Sequence, residues 1–510
     1  MKPHRKATPP QPAEQLRTRI EEFVRSCRSP AVLEPGDKTI PLEAGRFDLT
    51  IQGSLLVMHA WNAETSLVRR IVAIREETRG RLDLRIRRLG QAEGVLTILD
   101  LARAGPHWAR QADRLEFRER FRRLLLRRFG EWEVSQISSG ADLEHSLSPA
   151  FSRALLTHAG GAFAAIGAAD NSDPASSDQI LSFGLIWLDY LRAREQSAGR
   201  NGRVVAGLKL FLPQHRTTVT ANRLAFLDPG AAACELFEFG PDLSTARVDE
   251  KDYGNLKTAL EAAPAEIAPS PQVAGWLDQL GSDFAVERDL RADGVISLRL
   301  RGLEFARAWA DRMSFGVEQD HPLTPANFDR VERLALRLVE ARSADAPDKQ
   351  DWLYRAAPEK WLESRVRAEL AEVDSSLAPQ PLYTQVPAVA GADRGIIDLL
   401  ACDHKGRLAV VELKASEDLH LPLQGLDYWM RVKWHLDRGE FQKLGYFPGL
   451  PLQPLPPRLL LVSPVFDFHP TTETILRYFS PQVEVERVGL SAEWREKLKV
   501  VFRARGAEKR

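Results

Sequence analysis

The sequence predicts a mixed α/β protein of several domains, and three observations carry that expectation. Its 510 residues amount to about three domains at roughly 150 residues each. A hydrophobic fraction of 44% with 27% charged residues is ordinary for globular domains and excludes collagen-like, disordered and disulfide-scaffold chains. Stretches of period-two alternation also exchange with stretches of helical spacing along the whole length, so sheets and helices interleave.

Taken in order, residues 1–12 are basic and proline-rich with no apolar run behind them, so they read as a disordered tail and not as a signal peptide. Residues 13–110 form a small β-rich N-terminal domain, with a helix over Ala13–Arg28 and period-two runs between Arg46 and Leu101. Residues 111–263 read as an α/β unit: helix Leu115–Arg128, strand Glu131–Ile137, strands within Ala154–Ala168, helix Gln179–Glu195 and strand Arg203–Leu212. Residues 264–345 read as a linker α/β unit with one clear strand, Val295–Arg301, and a helix, Asn327–Arg342. Residues 346–510 return to the earlier order: helix Glu359–Glu372, strands Leu382–Val386, Gly395–Cys402 and Arg407–Ala415, helix Leu419–Arg438 and strand Arg458–Ser463. The helix sequence Gly184-LIWLDYLRARE echoes Gly425-LDYWMRVKWHLDRGE, as an internal duplication would.

Seventy basic residues balance seventy acidic ones, so any polyanion site must come from local clustering. The most basic stretch is Glu64–Gly130, with about 17 arginines against about 9 acids. Within it Arg118, Arg122, Arg123, Arg127 and Arg128 are candidate phosphate contacts on a helix whose spacing also suits a solvated face. Cys27, Cys234 and Cys402 are too scattered for a zinc pattern or a secreted framework, which fits a cytoplasmic protein. Ala154–Ala169 contains His158 and is shorter than the roughly 20 apolar residues a membrane span needs, so no membrane partner is expected.

The informative segment is Asp393-RGIIDLLACDHKGRLAVVELKASEDLHLPLQGLDYW. Both strands within it are apolar on both faces, as central strands are, except for Asp398, Glu412 and Lys414. A three-residue loop, His404-Lys405-Gly406, with glycine as the left-handed bulge residue, pairs Asp403 with Arg407. Counting back places Asp398 opposite Glu412, with Lys414 on the same face. Two carboxylates so close in an apolar interior call for a cation between them, and a hard divalent ion, Mg2+ or Mn2+, suits their oxygens. Such an ion binds phosphate oxygens and acidifies a bound water, and a neighbouring ammonium can orient or deprotonate that water. That chemistry is phosphodiester hydrolysis.

These residues, with Glu363 on the preceding helix and Gln424 and Tyr428 on the following one, resemble the PD-(D/E)xK nuclease superfamily. The region is similar to the C-terminal domain of NucS-type endonucleases and, through Gln424-GLDY, to RecB-type nucleases. The resemblance covers about Glu359–Gly489 and implies a restriction-endonuclease-like α/β/α core with a mixed sheet. It implies Asp398, Glu412 and the carbonyl of Leu413 as metal ligands, and Lys414 as the residue that activates water. Glu363 would be an acid near the metal, while Gln424 and Tyr428 would support the site and the DNA backbone. Ile397 stands where the motif's proline would be, no phosphate-cradling motor loop occurs, and the cysteines cannot hold an iron-sulfur cluster. Laid over the same order, residues 111–263 would put Ile166 and Ala168 where Glu412 and Lys414 stand, as a degenerate copy without a metal site.

The function expected is therefore a metal-dependent deoxyribonuclease, an endonuclease in DNA repair or defence, acting on DNA with RNA as the other candidate, alone, as a homodimer or with a partner protein. The alternative is a non-catalytic nucleic-acid-binding or assembly protein that keeps a nuclease fold.

Overall fold

A computed structural model describes residues 11–33, 39–42, 47–61, 66–87, 93–100, 106–142, 144–158, 161–170, 177–199, 202–250, 258–265, 268–291, 293–390 and 393–506. The chain divides into two compact units. The first comprises Met1–Ile180, Arg194–Arg216 and Phe237–Arg247; the second comprises Leu181–Ala193, Thr217–Leu236 and Val248–Arg510.

The first unit opens with helix α1 (Ala13–Ser26), whose Leu16, Ile20, Phe23 and Val24 recur at helical spacing and are buried. They pack on an antiparallel sheet of β1 (Pro30–Leu33), β2 (Thr39–Pro41), β3 (Phe47–Gln52), β4 (Leu55–Trp61), β5 (Ser66–Thr78), β6 (Arg81–Arg87) and β7 (Glu93–Asp100), in the order β2-β1-β7-β6-β5-β4-β3. Of the expected disordered tail, residues 1–10 lie outside the described residues. Gln11 is docked: its backbone N–H donates to Val72 and its side-chain oxygen accepts from Ile74, both on β5.

Helix α2 (Pro106–Arg128) crosses the boundary expected at residue 111. A second sheet follows, of β8 (Glu133–Ser138), β9 (Phe151–His158), β10 (Gly161–Ala168), β11 (Val205–Pro213), β12 (Ala233–Phe239) and β13 (Thr245–Arg247) in sequential spatial order. Helix α3 (Ile180–Ser197) joins β10 to β11, and α4 (Thr218–Leu224) joins β11 to β12.

In the second unit, residues 264–345 are more than a linker with one strand. Helices α5 (Pro271–Asp283) and α6 (Phe328–Ala341) pack on a five-stranded antiparallel sheet, built of short β15 (Glu287–Leu290), β16 (Ile296–Leu300), β17 (Leu303–Ala308), β18 (Met313–Phe315) and β19 (His321–Pro322), with β14 (Thr258–Leu260) belonging to the next sheet. Helix α7 (Pro358–Ala368) begins with proline at its first position and breaks at Glu369, and a single helical turn, Leu370–Val373, carries the chain past the expected end at Glu372. Then come β20 (Tyr383–Ala390), β21 (Asp393–Cys402), β22 (Leu408–Leu413), helix α8 (Leu421–Asp437), β23 (Arg458–Pro464), α9 (Thr472–Leu476), β24 (Glu484–Leu490) and β25 (Val500–Arg505). Their sheet runs β14-β20-β21-β22-β23-β24-β25. The β22–β23 and β23–β24 pairs are parallel and the others antiparallel, so the sheet is mixed.

The element order α2-β8-β9-β10-α3-β11-α4-β12-β13 thus recurs as α7-β20-β21-β22-α8-β23-α9-β24-β25, with the same strand order in the two sheets. The first two strand pairs are antiparallel and the third parallel in both. Register fixes the equivalence of single residues. Strands β11 and β23 both end in proline, at Pro213 and Pro464. Three residues before each, Leu210 pairs with Ile166 and Leu461 with Glu412. Across its hairpin Ile166 faces Arg153. Within the second unit, α4 meets α8 through Arg223–Asp427 (2.7 Å) and α3 meets the end of α9 through Asp189–Arg477 (3.6 Å), a reciprocal pairing of equivalent elements.

Candidate active site

The site is built on the β21–β22 hairpin. Asp403 N–H donates to Arg407 O (2.8 Å), and the Asp403 carboxylate accepts from the backbone of Lys405 and Arg407 (2.8 and 2.9 Å). Gly406 sits at φ +93°, and a side chain there would meet the Pro451 carbonyl oxygen at 2.1 Å, so only glycine fits the turn. The ladder runs Cys402↔Leu408 to Leu399↔Val411, and the same register carried one residue on sets Asp398 against Glu412. There the Asp398 carboxylate accepts the Leu413 backbone N–H at 3.1 Å.

All six residues of β22 are buried, which is what makes its charges expensive. Val411 and Leu413 lie in a core with Leu399 and Trp361. Alternation puts Glu412 and Lys414 on the other face. Glu412 is 1% exposed and its Oε2 has no hydrogen-bond partner. Burial first, and then the Asp398 charge, push its pKa well above the ordinary glutamate value. Burial also raises Asp398, against the pull of Lys360, the Leu413 N–H and Lys414. For Lys414 burial disfavours the ammonium, but Glu359, Glu412, Asp418 and Asp398 together outweigh it and raise its pKa. Its Nζ lies 3.7 Å from both Glu359 and Asp418.

Glu363 does come from α7, yet its partners are Lys360 (2.8 Å), Gln385 (2.9 Å) and Arg299 (3.8 Å). Burial raises its pKa, and Lys360 opposes that. Glu359, one turn earlier on the same helix face, is the acid that reaches Lys414. The sequence reading missed it, although an i, i+4 pair of glutamates was in view. It also missed Lys360, which stands 4.0 Å from Asp398, and Gln385, which carries a φ of +50° on β20. No periodic signal marks either one.

Helix α8 lies close on the sheet because Gly425 has no side chain: a Cβ there would stand 2.7 Å from a methyl of Leu461. That approach brings Tyr428, 8% exposed, toward Glu412, whose charge helps burial to raise the phenol's pKa. Gln424 donates to the Tyr428 hydroxyl at 3.3 Å. Trp429 on this helix is fully buried with its indole N–H on Pro457 O, so it is core.

The arginines of α2 belong to the first unit. Phe117, Phe121, Leu124 and Leu125 form the helix's buried face, which leaves Arg122, Arg123, Arg127 and Arg128 exposed and Arg118 half-buried. Arg127 donates to Asp242 O and Arg128 lies over the Phe237 ring. In the earlier repeat, at the place of Asp398, Arg153 is 2% exposed and donates to Ser148 O and Gly140 O (2.6 and 2.5 Å).

Among the described residues no group of three or more His, Cys, Asp or Glu side chains could by itself hold a metal ion. Asp398 and Glu412 are a pair, and the third ligand expected is a main-chain carbonyl. The donor set still fits a hard divalent ion: all oxygen, two carboxylates converging, one buried oxygen without a partner. No family model and no curated protein matches the chain. No helix among the described residues is long and apolar enough to cross a membrane.

Proposed function

We propose that the chain is a metal-dependent nuclease that hydrolyses phosphodiester bonds of DNA, an endonuclease of repair or defence, with a PD-(D/E)xK, restriction-endonuclease-like centre in its C-terminal region. One observation carries the reading: Glu412, buried with an oxygen that has no partner, is pressed by Asp398 across the hairpin and flanked by Lys414. Asp398, Glu412 and the Leu413 carbonyl would hold Mg2+ or Mn2+. Bound there, the ion polarises the phosphate and lowers the pKa of a water.

The chain's own groups do the rest. Lys414 orients the attacking water, and Glu359 and Asp418 keep the ammonium charged and aimed. Lys360 balances Asp398 and Glu363. Tyr428 and Gln424 close the α8 side of the site. In the earlier repeat, Arg153, Ile166 and Ala168 stand in place of the acids and the lysine, which supports a binding or assembly role for that copy.

Incubation of the purified chain with plasmid, single-stranded DNA and RNA, with Mg2+, Mn2+ or EDTA, tests this. Metal-dependent, EDTA-sensitive cleavage of DNA is expected. Cleavage of RNA alone would reassign the substrate, and binding without any cleavage would favour a non-catalytic nucleic-acid-binding protein.

A further inference from the structure

Beside the candidate active site the second unit holds a cavity of about 650 Å³. Two of its lining residues touch the site's own network: Gln385 donates to Glu363, and Arg299 lies 3.8 Å from Glu363. One wall is cationic. Arg299 and Arg367 share the buried Asp289, at 2.6 and 2.5 Å, so one carboxylate serves two guanidinium groups. Arg291 likewise shares Glu304 with Arg307, each at 2.5 Å. Arg288 donates to Leu277 O, with Asp278 at 3.7 Å. Glu261 and Asp293 also line the space, so the four arginines stand against three lining carboxylates, a net charge of +1.

Exposure divides the arginines by task. Arg299 and Arg367 are mostly covered (11% and 23%) and anchored, whereas Arg288 and Arg291 (43% and 40%) have donors to offer. Leu382, Tyr383 and Ile396 also line the cavity, the last 45% exposed although large and apolar. A lining that holds arginines together with apolar and aromatic side chains suits a phosphate joined to a flat base. The volume lies within the roughly 300–1,000 Å³ of small-ligand cavities. A cube of that volume is about 9 Å on a side, narrower than the roughly 12 Å major groove alone of a duplex.

We propose that this cavity receives a nucleotide of a single-stranded segment adjoining the phosphate to be cut, its phosphate on Arg288 and Arg291 and its base against Leu382, Tyr383 and Ile396. The inference rests on the nuclease reading and narrows its substrate to strands that are unpaired at the site.

Fluorescence anisotropy of the full chain in EDTA, where nothing is cut, tests it with labelled dT12 and a 12-base-pair duplex as probes. The dT12 strand binds more tightly than the duplex. An Arg288→Ser/Arg291→Ser variant weakens dT12 binding about tenfold and lowers the slope of log K against log salt by about 0.7, for the one phosphate the two arginines hold. An Arg312→Ser/Arg333→Ser variant, altered at exposed arginines of the same unit, changes neither. Ile396→Asp, at a position 45% exposed, weakens dT12 binding even if the double variant fails to fold. Unchanged dT12 binding in the cavity variants, or tighter binding of the duplex, overturns the inference. Cavity-dependent dT12 binding in a chain that never cuts overturns only the nuclease reading, whereas cleavage with cavity-independent binding overturns only the cavity.

Discussion

A carboxylate that loses its water needs something in its place, and Glu412 has found nothing on one oxygen. Without metal its raised pKa makes the folded state bind a proton more readily than the unfolded chain does. The associated stability is therefore full below the ordinary glutamate value and is lost as pH rises past it. Thermal melts in EDTA should show stability falling as pH climbs from about 4.5, and Glu412→Gln should flatten that fall and raise the melting temperature at pH 8 by a few degrees, for roughly 1–2 kcal/mol relieved. A second prediction separates the two glutamates of α7. Glu359, 45% exposed in its side chain, faces Lys414, so Glu359→Ala should cut cleavage tenfold or more with little change in melting. Glu363 is buried among Lys360, Gln385 and Arg299, so Glu363→Ala should destabilise by about 3 kcal/mol, read by denaturant unfolding.

At the scale of elements, the hairpin was legible because its determinants are local: Asp403, a three-residue loop and Gly406 set a register that carries Asp398 to Glu412. The five-stranded sheet was not. Its β17, Leu303-EFARA, and β18 are short and interleaved with charge, and Glu304 meets Arg291, and Arg307 meets Asp320, only once the chain has folded back. Its tie to α7 runs through Arg342. Fully buried, this arginine donates to the carbonyls of Arg301, Leu353 and Ala356 and stacks on Trp361 of α7 at 4.6 Å. Burial lowers its pKa to about 10. Arg342→Met leaves those carbonyls without a donor and should cost about 3–5 kcal/mol in denaturant unfolding, with weaker cleavage from a loosened α7. No periodicity in the sequence marks that residue, since a buried arginine reads as a surface one until its acceptors are placed.

Across the whole molecule the duplicated element order is the larger organising fact. The echo between the α3 and α8 sequences hinted at it, and the equivalence of Ile166 with Glu412 could be counted from sequence. Arg153 in the place of Asp398 follows only from the β9–β10 register, which pairs it with Ile166. Charge reversal at Arg122, Arg123, Arg127 and Arg128 should weaken nucleic-acid binding and flatten its salt dependence if α2 meets phosphates. Unchanged binding and slope would leave them as a solvated face. We propose that one centre, at Asp398, Glu412 and Lys414, cuts the strand. Its most direct test is cleavage of DNA by the Lys414→Ala protein, with manganese calorimetry on the same preparation. Cleavage should be abolished while manganese binding stays largely intact; cleavage at the rate of the unmodified protein would overturn that role for Lys414.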